Sequence, residues 1–259
     1  MKGGYWVRRT IKCKNGMRYK SQYWDGPKKP RSDRRPGSSS LARKDSNAQS
    51  QARKLAMILN CNFGVKDYLL TLTYDDLHLP DTADEADKLC QLFMRRLTRV
   101  LKAAGRSCRW VWSTCDKSMR SGHVGESVRL HHHVVISGLD LEPMPDIGGI
   151  WKNGFADLKR LEEHKDMAPG QVALDPVAAY IARQAVEGPN RQKWHSSRGM
   201  EKPVVSRVES LAAPEPMKTP AGAVIIDSSE YNAENGTQFM AYYLPPRRRR
   251  KAEAERRLE

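Results

Sequence analysis

Residues 129–136 read Arg129-Leu130-His131-His132-His133-Val134-Val135-Ile136 and contain three of the seven histidines of the chain. The apolar, β-branched residues at the end of this stretch predict a strand. Side chains of a strand alternate between its two faces, so His131 and His133 share one face with Val135, and His132 points the other way. Two imidazoles about 7 Å apart at the backbone of a rigid strand form a preorganised pair of metal ligands. The stretch therefore predicts a metal site.

A two-histidine site needs a further ligand, and two carboxylates are candidates. The preceding predicted strand, residues 110–116, ends in Asp116, and the loop before the histidines contains Glu126. We prefer Asp116 because it follows a neighbouring strand. An oxygen ligand suits Mg²⁺ or Mn²⁺, so we expect one of these two ions.

Tyr180 lies downstream of the histidines in a predicted helix that begins at Asp175-Pro176. Asp is a favoured N-cap, and Pro is tolerated in the first turn. Helical spacing puts Arg183 and Gln184 on the face of Tyr180, where the arginine could favour a phenolate and hold a phosphate. A tyrosine phosphoester conserves bond energy for rejoining, so Tyr180 suits a reversible phosphodiester exchange.

The remaining patterns predict an α+β domain. Asn15-Gly16 between two runs of β-formers predicts a hairpin over residues 5–24, and apolar spacing of three and four residues predicts helices. The order of elements fits an antiparallel sheet covered by helices. The predicted helices are 47–60, 83–104, 146–152 and one from 175, and the further strands are 67–74, 109–115, 130–137, 155–161 and 238–244.

The charge balance predicts a polyanionic partner. Lys and Arg number 45 against 30 Asp and Glu, a formal net charge of +15, which is typical of nucleic-acid-binding proteins. No apolar run reaches the roughly 20 residues that span a bilayer, and no secretory signal is visible. The five cysteines include no C-x-x-C pair. We therefore expect no membrane partner and a reduced, cytoplasmic protein.

Taken together, the motifs resemble the HUH (His-hydrophobic-His) endonuclease superfamily, with His132 in the middle place. Leu70-Thr71-Leu72-Thr73-Tyr74, preceded by Asn62-Phe63, resembles its first motif, and His131-His132-His133 resembles the second. The stretch from Tyr180 to Arg183 resembles the tyrosine motif, and residues 194–203 resemble the Trp, Ser-Arg and Lys-Pro pattern that follows it. The four motifs occur in the family's order. The closest resemblance is to rolling-circle replication initiators of bacterial plasmids and of filamentous or related single-stranded DNA phages.

Two positions depart from the family pattern. Arg183 stands where the tyrosine motif usually has lysine, and arginine cannot give up a proton. The family often has Thr-Glu before the histidine strand, whereas this chain has Thr114-Cys115, so the carboxylate has moved to Asp116 or comes from elsewhere. The tyrosine helix contains one tyrosine, which is typical of a single-nucleophile enzyme.

The resemblance implies a five-stranded antiparallel sheet of the RNA-recognition-motif type, with the histidines on its central strand and the tyrosine on a nearby helix. We expect the following division: 1–26 hairpin, 27–46 basic flexible linker, 47–205 endonuclease domain, 206–246 C-terminal extension with a late strand, and 247–259 basic tail. The implied catalytic residues are Tyr180 and Arg183. The expected DNA contacts are Lys28, Lys29, Arg34, Arg35, Arg198, Arg247 and Arg248.

The implied activity is nicking and rejoining of single-stranded DNA at a rolling-circle origin through a 5′-phosphotyrosine. The expected partners are single-stranded and origin DNA, a host helicase and a host polymerase, in the cytoplasm of a bacterial host. Three alternatives remain open. These are a transposase or plasmid relaxase with the same chemistry, a non-catalytic nucleic-acid-binding module, and a metal-dependent hydrolase that uses water.

Overall fold

The computed structural model describes residues 4–26, 41–140, 142–188, 191–233 and 236–245. The helices of this part are α1 (Leu41–Asn62), α2 (Ala83–Ala103), α3 (Ile147–Trp151) and α4 (Asp175–Gln184). The strands are β1 (Tyr5–Lys12), β2 (Met17–Asp25), β3 (Tyr68–Thr73), β4 (Trp110–Lys117), β5 (Ser127–Ile136), β6 (Ala156–Arg160), β7 (His195–Ser196), β8 (Val204–Leu211), β9 (Val224–Ser228) and β10 (Gln238–Tyr243).

These strands form two antiparallel sheets of five strands each. The first, which we call the histidine sheet, has the order β6-β3-β5-β4-β7, so the strand with the three histidines is central. The second, which we call the terminal sheet, has the order β8-β1-β2-β10-β9. It joins the N-terminal hairpin to three strands from the last quarter of the chain.

The predicted hairpin over residues 5–24 is confirmed. Its turn lies at Asn15-Gly16, where Gly16 has a φ of +94°. That backbone conformation is costly for residues with a Cβ, which explains the glycine. The Asn15 amide also donates to Asn60 Oδ1 at 3.2 Å, so the turn is fastened to α1.

The elements stack in four layers. Helices α2 and α3 cover one face of the histidine sheet, and their apolar side chains form a core with Leu70, Leu72, Trp112 and Val134. Helices α1 and α4 lie on the other face and form a second core that also includes inward-facing residues of the terminal sheet. The order of layers is therefore α2 and α3, histidine sheet, α1 and α4, terminal sheet.

Asp175 does not cap α4 as the sequence predicted. The residue before the helix is Leu174, which makes no side-chain cap bond. The Asp175 carboxylate instead accepts hydrogen bonds from Tyr19 at 3.2 Å and Asn60 at 2.9 Å. It thus ties α4 to α1 and to the terminal sheet. Its burial raises the pKa of this carboxyl to about 6 because the charged form loses solvation.

The expected α+β fold with an antiparallel five-stranded sheet and covering helices is confirmed. Two details differ: α1 begins at Leu41 rather than at residue 47, and a second sheet is present. The second sheet was missed because β8 is exposed along most of its length, which leaves its sequence without a clear apolar alternation. In the described residues, no helix is both long and apolar enough to cross a membrane.

Candidate active site

The two faces of β5 place its histidines in different surroundings. His131 and His133 point toward α4, and their ring centroids lie 5.0 Å apart. His132 points into the core under α2. The predicted same-face arrangement of His131 and His133 is confirmed, because adjacent side chains of a strand alternate.

Hydrogen bonds determine which ring nitrogen of each histidine carries the proton. His131 Nδ1 lies 3.0 Å from the carbonyl oxygen of Arg129, and a carbonyl can only accept, so Nδ1 is protonated and Nε2 has a free lone pair. His133 Nδ1 faces the Thr71 hydroxyl at 3.2 Å. Burial lowers the pKa of His133 to about 3, which keeps this ring neutral at pH 7.

Gln184 lies against both rings. Its Nε2 donates to the Tyr180 carbonyl at 3.2 Å and to His133 Nε2 at 3.2 Å, which fixes the orientation of the amide. Its Oε1 then faces His131 Nε2 at 3.3 Å. Two groups with lone pairs thus face each other, and neither carries a proton when His131 is neutral. A cation between them would remove this conflict.

A search of the described residues for clustered ligand atoms finds Cys115 beside the two histidines, with all three atoms within 4.8 Å of one another. Cys115 is opposite His131 in the β4–β5 register and therefore shares its face. The thiol is fully buried. Burial raises its pKa to about 12, so it is protonated at neutral pH in the absence of a metal.

The predicted ligand Asp116 is not a member of this group. It lies where the β4–β5 register shifts, between Cys115 and Lys117, and its Oδ2 pairs with Lys117 at 3.3 Å. Glu126, the competing carboxylate, is exposed and contacts His123 at 2.9 Å. The bulge removes Asp116 from regular alternation, and its neighbour occupies the position beside the histidines.

Tyr180 lies on α4 next to the histidine pair. Its ring centroid is 5.0 Å from that of His133, and the residue is 40% exposed. Gln184 is one helical turn further along the same face and touches both histidines, so α4 brings the tyrosine and the candidate ligands together. Arg183 is exposed and lines a neighbouring cleft of about 920 Å³ between α1 and α4, together with Lys193.

Residues 67–183 match a family model described as a replication-associated protein of the ORF2 type. The match begins just before β3 and ends three residues after Tyr180, so it includes both histidines, the tyrosine and Arg183. It covers 117 of the 259 residues (67 to 183 inclusive) and leaves out the terminal sheet. Comparisons with curated proteins and with solved structures give no match. The similarity to this replication-associated family supports a role of the chain in DNA replication.

His132 belongs to a buried polar chain on the other face of the sheet. Thr114 donates its hydroxyl proton to the Asp87 carboxylate at 2.5 Å, so its oxygen accepts from His132 Nδ1 at 3.0 Å. His132 Nε2 is then an acceptor for the Tyr74 hydroxyl at 2.6 Å. Burial lowers the pKa of His132 to about 3. A neutral ring with both nitrogens bonded anchors β5 and takes no part in metal binding.

The predicted DNA contacts are only partly within the described residues. Arg198 is exposed in the turn after β7. The others, Lys28, Lys29, Arg34, Arg35, Arg247 and Arg248, lie outside the described residues.

Sequence reasoning assigned no role to two residues of the site. Gln184 was placed on the face of Tyr180, and its spacing of four residues was the available signal. Cys115 was noted only as a departure from the family pattern. Alternation from His131 through the paired strand would have identified it, but that step requires the register.

Proposed function

We propose that this chain nicks and rejoins single-stranded DNA at a rolling-circle origin, with Tyr180 as the nucleophile. One observation supports this proposal above the others: the Tyr180 ring packs 5.0 Å from His133, and the Nε2 atoms of His131 and His133 meet at Gln184. A nucleophile beside a pair of imidazole lone pairs is the arrangement that phosphodiester transfer needs.

The residues present fit a divalent ion. His131 Nε2, His133 Nε2 and Gln184 Oε1 are neutral donors within reach of one point, and Cys115 adds a sulfur atom. Imidazole and thiol groups suit borderline ions better than Mg²⁺, which prefers oxygen ligands. We therefore favour Mn²⁺ of the two expected ions. When bound, such an ion polarises the scissile phosphate.

The chain's own residues position the reaction. The Tyr180 phenolic oxygen attacks phosphorus, the bond from phosphorus to the 3′ oxygen breaks, and the phenolic proton is passed through solvent to that oxygen. The products are a 5′-phosphotyrosyl link and a free 3′-hydroxyl. Attack of a 3′-hydroxyl on the link reverses the step and releases Tyr180. Arg183, one turn from Tyr180, is the cation available to the phosphate.

This chemistry agrees with the charge of the chain and with its expected partners. A net charge of +15 favours a polyanionic substrate. The free 3′-hydroxyl can prime a host polymerase, and a host helicase would supply unpaired template. Both partners follow from the products of the reaction.

Tyr180→Phe tests the proposal directly. Incubation with a labelled single-stranded origin oligonucleotide and Mn²⁺ should give an SDS-stable adduct with the unchanged chain and none with this variant, while oligonucleotide affinity is retained. Tyr5→Phe is the matched control because Tyr5 is also an exposed tyrosine, on the terminal sheet, and it should form the adduct normally.

Other results would contradict the assignment. Cleavage without an adduct that persists in Tyr180→Phe would indicate a hydrolase that uses water. Binding without any cleavage, in the unchanged chain and over a range of divalent ions, would indicate a non-catalytic module. An adduct that persists in Tyr180→Phe would move the nucleophile to another residue.

A further inference from the structure

The terminal sheet has an outer face that points away from the helices. Ile11 and Tyr19 are buried in the core shared with α1 and α4, so the residues that alternate with them point outward. These outward residues include Lys12 on β1, and Arg18 and Lys20 on β2. The face is separated from His131 and His133 by the whole α1 and α4 layer.

The strand register concentrates cations on this face. Lys12 is paired directly with Arg18, and Thr10 lies between Lys20 on one side and Arg207 on the other. Like charges in directly opposed positions destabilise a sheet. We call the set Lys12, Arg18, Lys20 and Arg207 the basic platform.

The surrounding charges do not neutralise the platform. Arg8 pairs with Glu215 at 3.4 Å, and Arg207 pairs with Glu209 at 2.9 Å. Counting these residues with Lys12, Arg18 and Lys20 gives five cations and two anions, an excess of three positive charges. The pKa of Lys20 is lowered by its partial burial and by the nearby Arg8 and Arg207, as expected where cations are crowded.

The platform offers charge without a surface for base stacking. Tyr242 is the aromatic neighbour of Arg18 across the β2–β10 ladder, but it is 6% exposed and packs with Met217 and Met240. Proteins that grip unpaired strands combine a basic groove with exposed aromatic rings. A row of cations without an exposed ring fits the regular phosphates of a duplex better.

We propose that the basic platform binds the phosphate backbone of duplex DNA that flanks the nicking site. The inference rests on the proposed function, which makes DNA the substrate, and adds a second contact on the opposite side of the α1 and α4 layer. The platform holds the duplex without reading its sequence, while the histidine site acts on an unpaired segment of the same molecule.

The triple variant Lys12→Gln, Lys20→Gln and Arg207→Gln tests this contact in the full chain. Arg18 is kept because it donates to the carbonyls of Gly16 and Met17 at the hairpin turn. The matched control, Arg95→Gln, Arg96→Gln and Arg99→Gln, removes the same charge from the exposed side of α2, in the layer farthest from the platform. Binding is measured by fluorescence anisotropy over a range of salt concentrations.

On a duplex that carries an unpaired origin segment, the platform variant should bind on the order of 10- to 100-fold more weakly at about 0.1 M salt. The slope of log K against log salt should become shallower by about 2 to 3, since each phosphate contact contributes about −0.9. The control variant should retain most of the affinity and slope. Both variants should form the Tyr180 adduct normally with a short single-stranded oligonucleotide.

An unchanged salt slope in the platform variant would overturn the proposal, and so would an equal loss in the platform and α2 variants. A weakening on the single-stranded oligonucleotide as large as that on the duplex would assign the platform to unpaired DNA instead. If the unchanged chain forms no adduct at all, the proposed function fails, but the duplex titration still decides whether the platform binds DNA. Thermal unfolding of the two variants checks that neither loses its fold.

Discussion

The two faces of β5 carry the same residue type in opposite roles. On the face toward α4, His131 and His133 keep free lone pairs beside Gln184 and Tyr180. On the face toward α2, both nitrogens of His132 are engaged by Thr114 and Tyr74 in a buried chain. A histidine with both nitrogens bonded to protein stabilises the strand, whereas one with an open nitrogen can bind a metal. The neighbouring layer, rather than the residue type, decides the role.

The largest expected effect is on the catalytic face. His131→Ala and His133→Ala should each lower the metal-dependent cleavage rate on the order of 10³-fold or more, since a bound ion contributes several kcal/mol to such reactions. Single-turnover cleavage at saturating oligonucleotide measures this loss. Circular dichroism should show folded protein in both cases, and cleavage that survives either change would place the metal elsewhere.

The opposite face should respond in stability instead. His132→Ala should lower the free energy of unfolding by about 3 kcal/mol, because it opens a cavity and leaves Tyr74 and Thr114 without their partner. Urea denaturation measures the change. Tyr74→Phe removes one hydrogen bond of the same chain and should cost about 1 kcal/mol.

Cleavage per folded molecule should remain near normal in both of these variants when it is assayed well below the unfolding transition. If His132→Ala abolished cleavage in fully folded protein, the division of β5 into a catalytic and a structural face would be wrong.

The smallest effect concerns the ligand beside the histidines. Gln184→Leu should raise the Mn²⁺ concentration for half-maximal cleavage about ten-fold, because it removes the oxygen that faces His131, a loss of about 1.4 kcal/mol in metal affinity. Asp116→Asn should have a smaller effect, because Asp116 lies outside the ligand group. A larger shift for Asp116→Asn would restore the carboxylate as the ligand. Cys115→Ser measures the contribution of the sulfur atom.

The terminal sheet shows where sequence patterns lose information. Its hairpin was predicted because Asn15-Gly16 needs only local backbone geometry. Strand β8 pairs with β1 across about two hundred residues of chain, and it is exposed over most of its length. An exposed edge strand needs no apolar alternation, so its sequence has no distinct period. The second sheet therefore emerged only from the tertiary structure.

The sequence by itself determined the features that depend on local periodicity. Alternation along residues 129–136 placed His131 and His133 on one face, and helical spacing placed Gln184 on the face of Tyr180. Only the tertiary structure decided which groups meet. The β4–β5 register and its bulge brought Cys115 rather than Asp116 to the histidines, and the packing of α4 on the sheet put Gln184 between the rings. Periodicity encodes which face of an element is buried, but register and helix placement depend on contacts between distant parts of the chain.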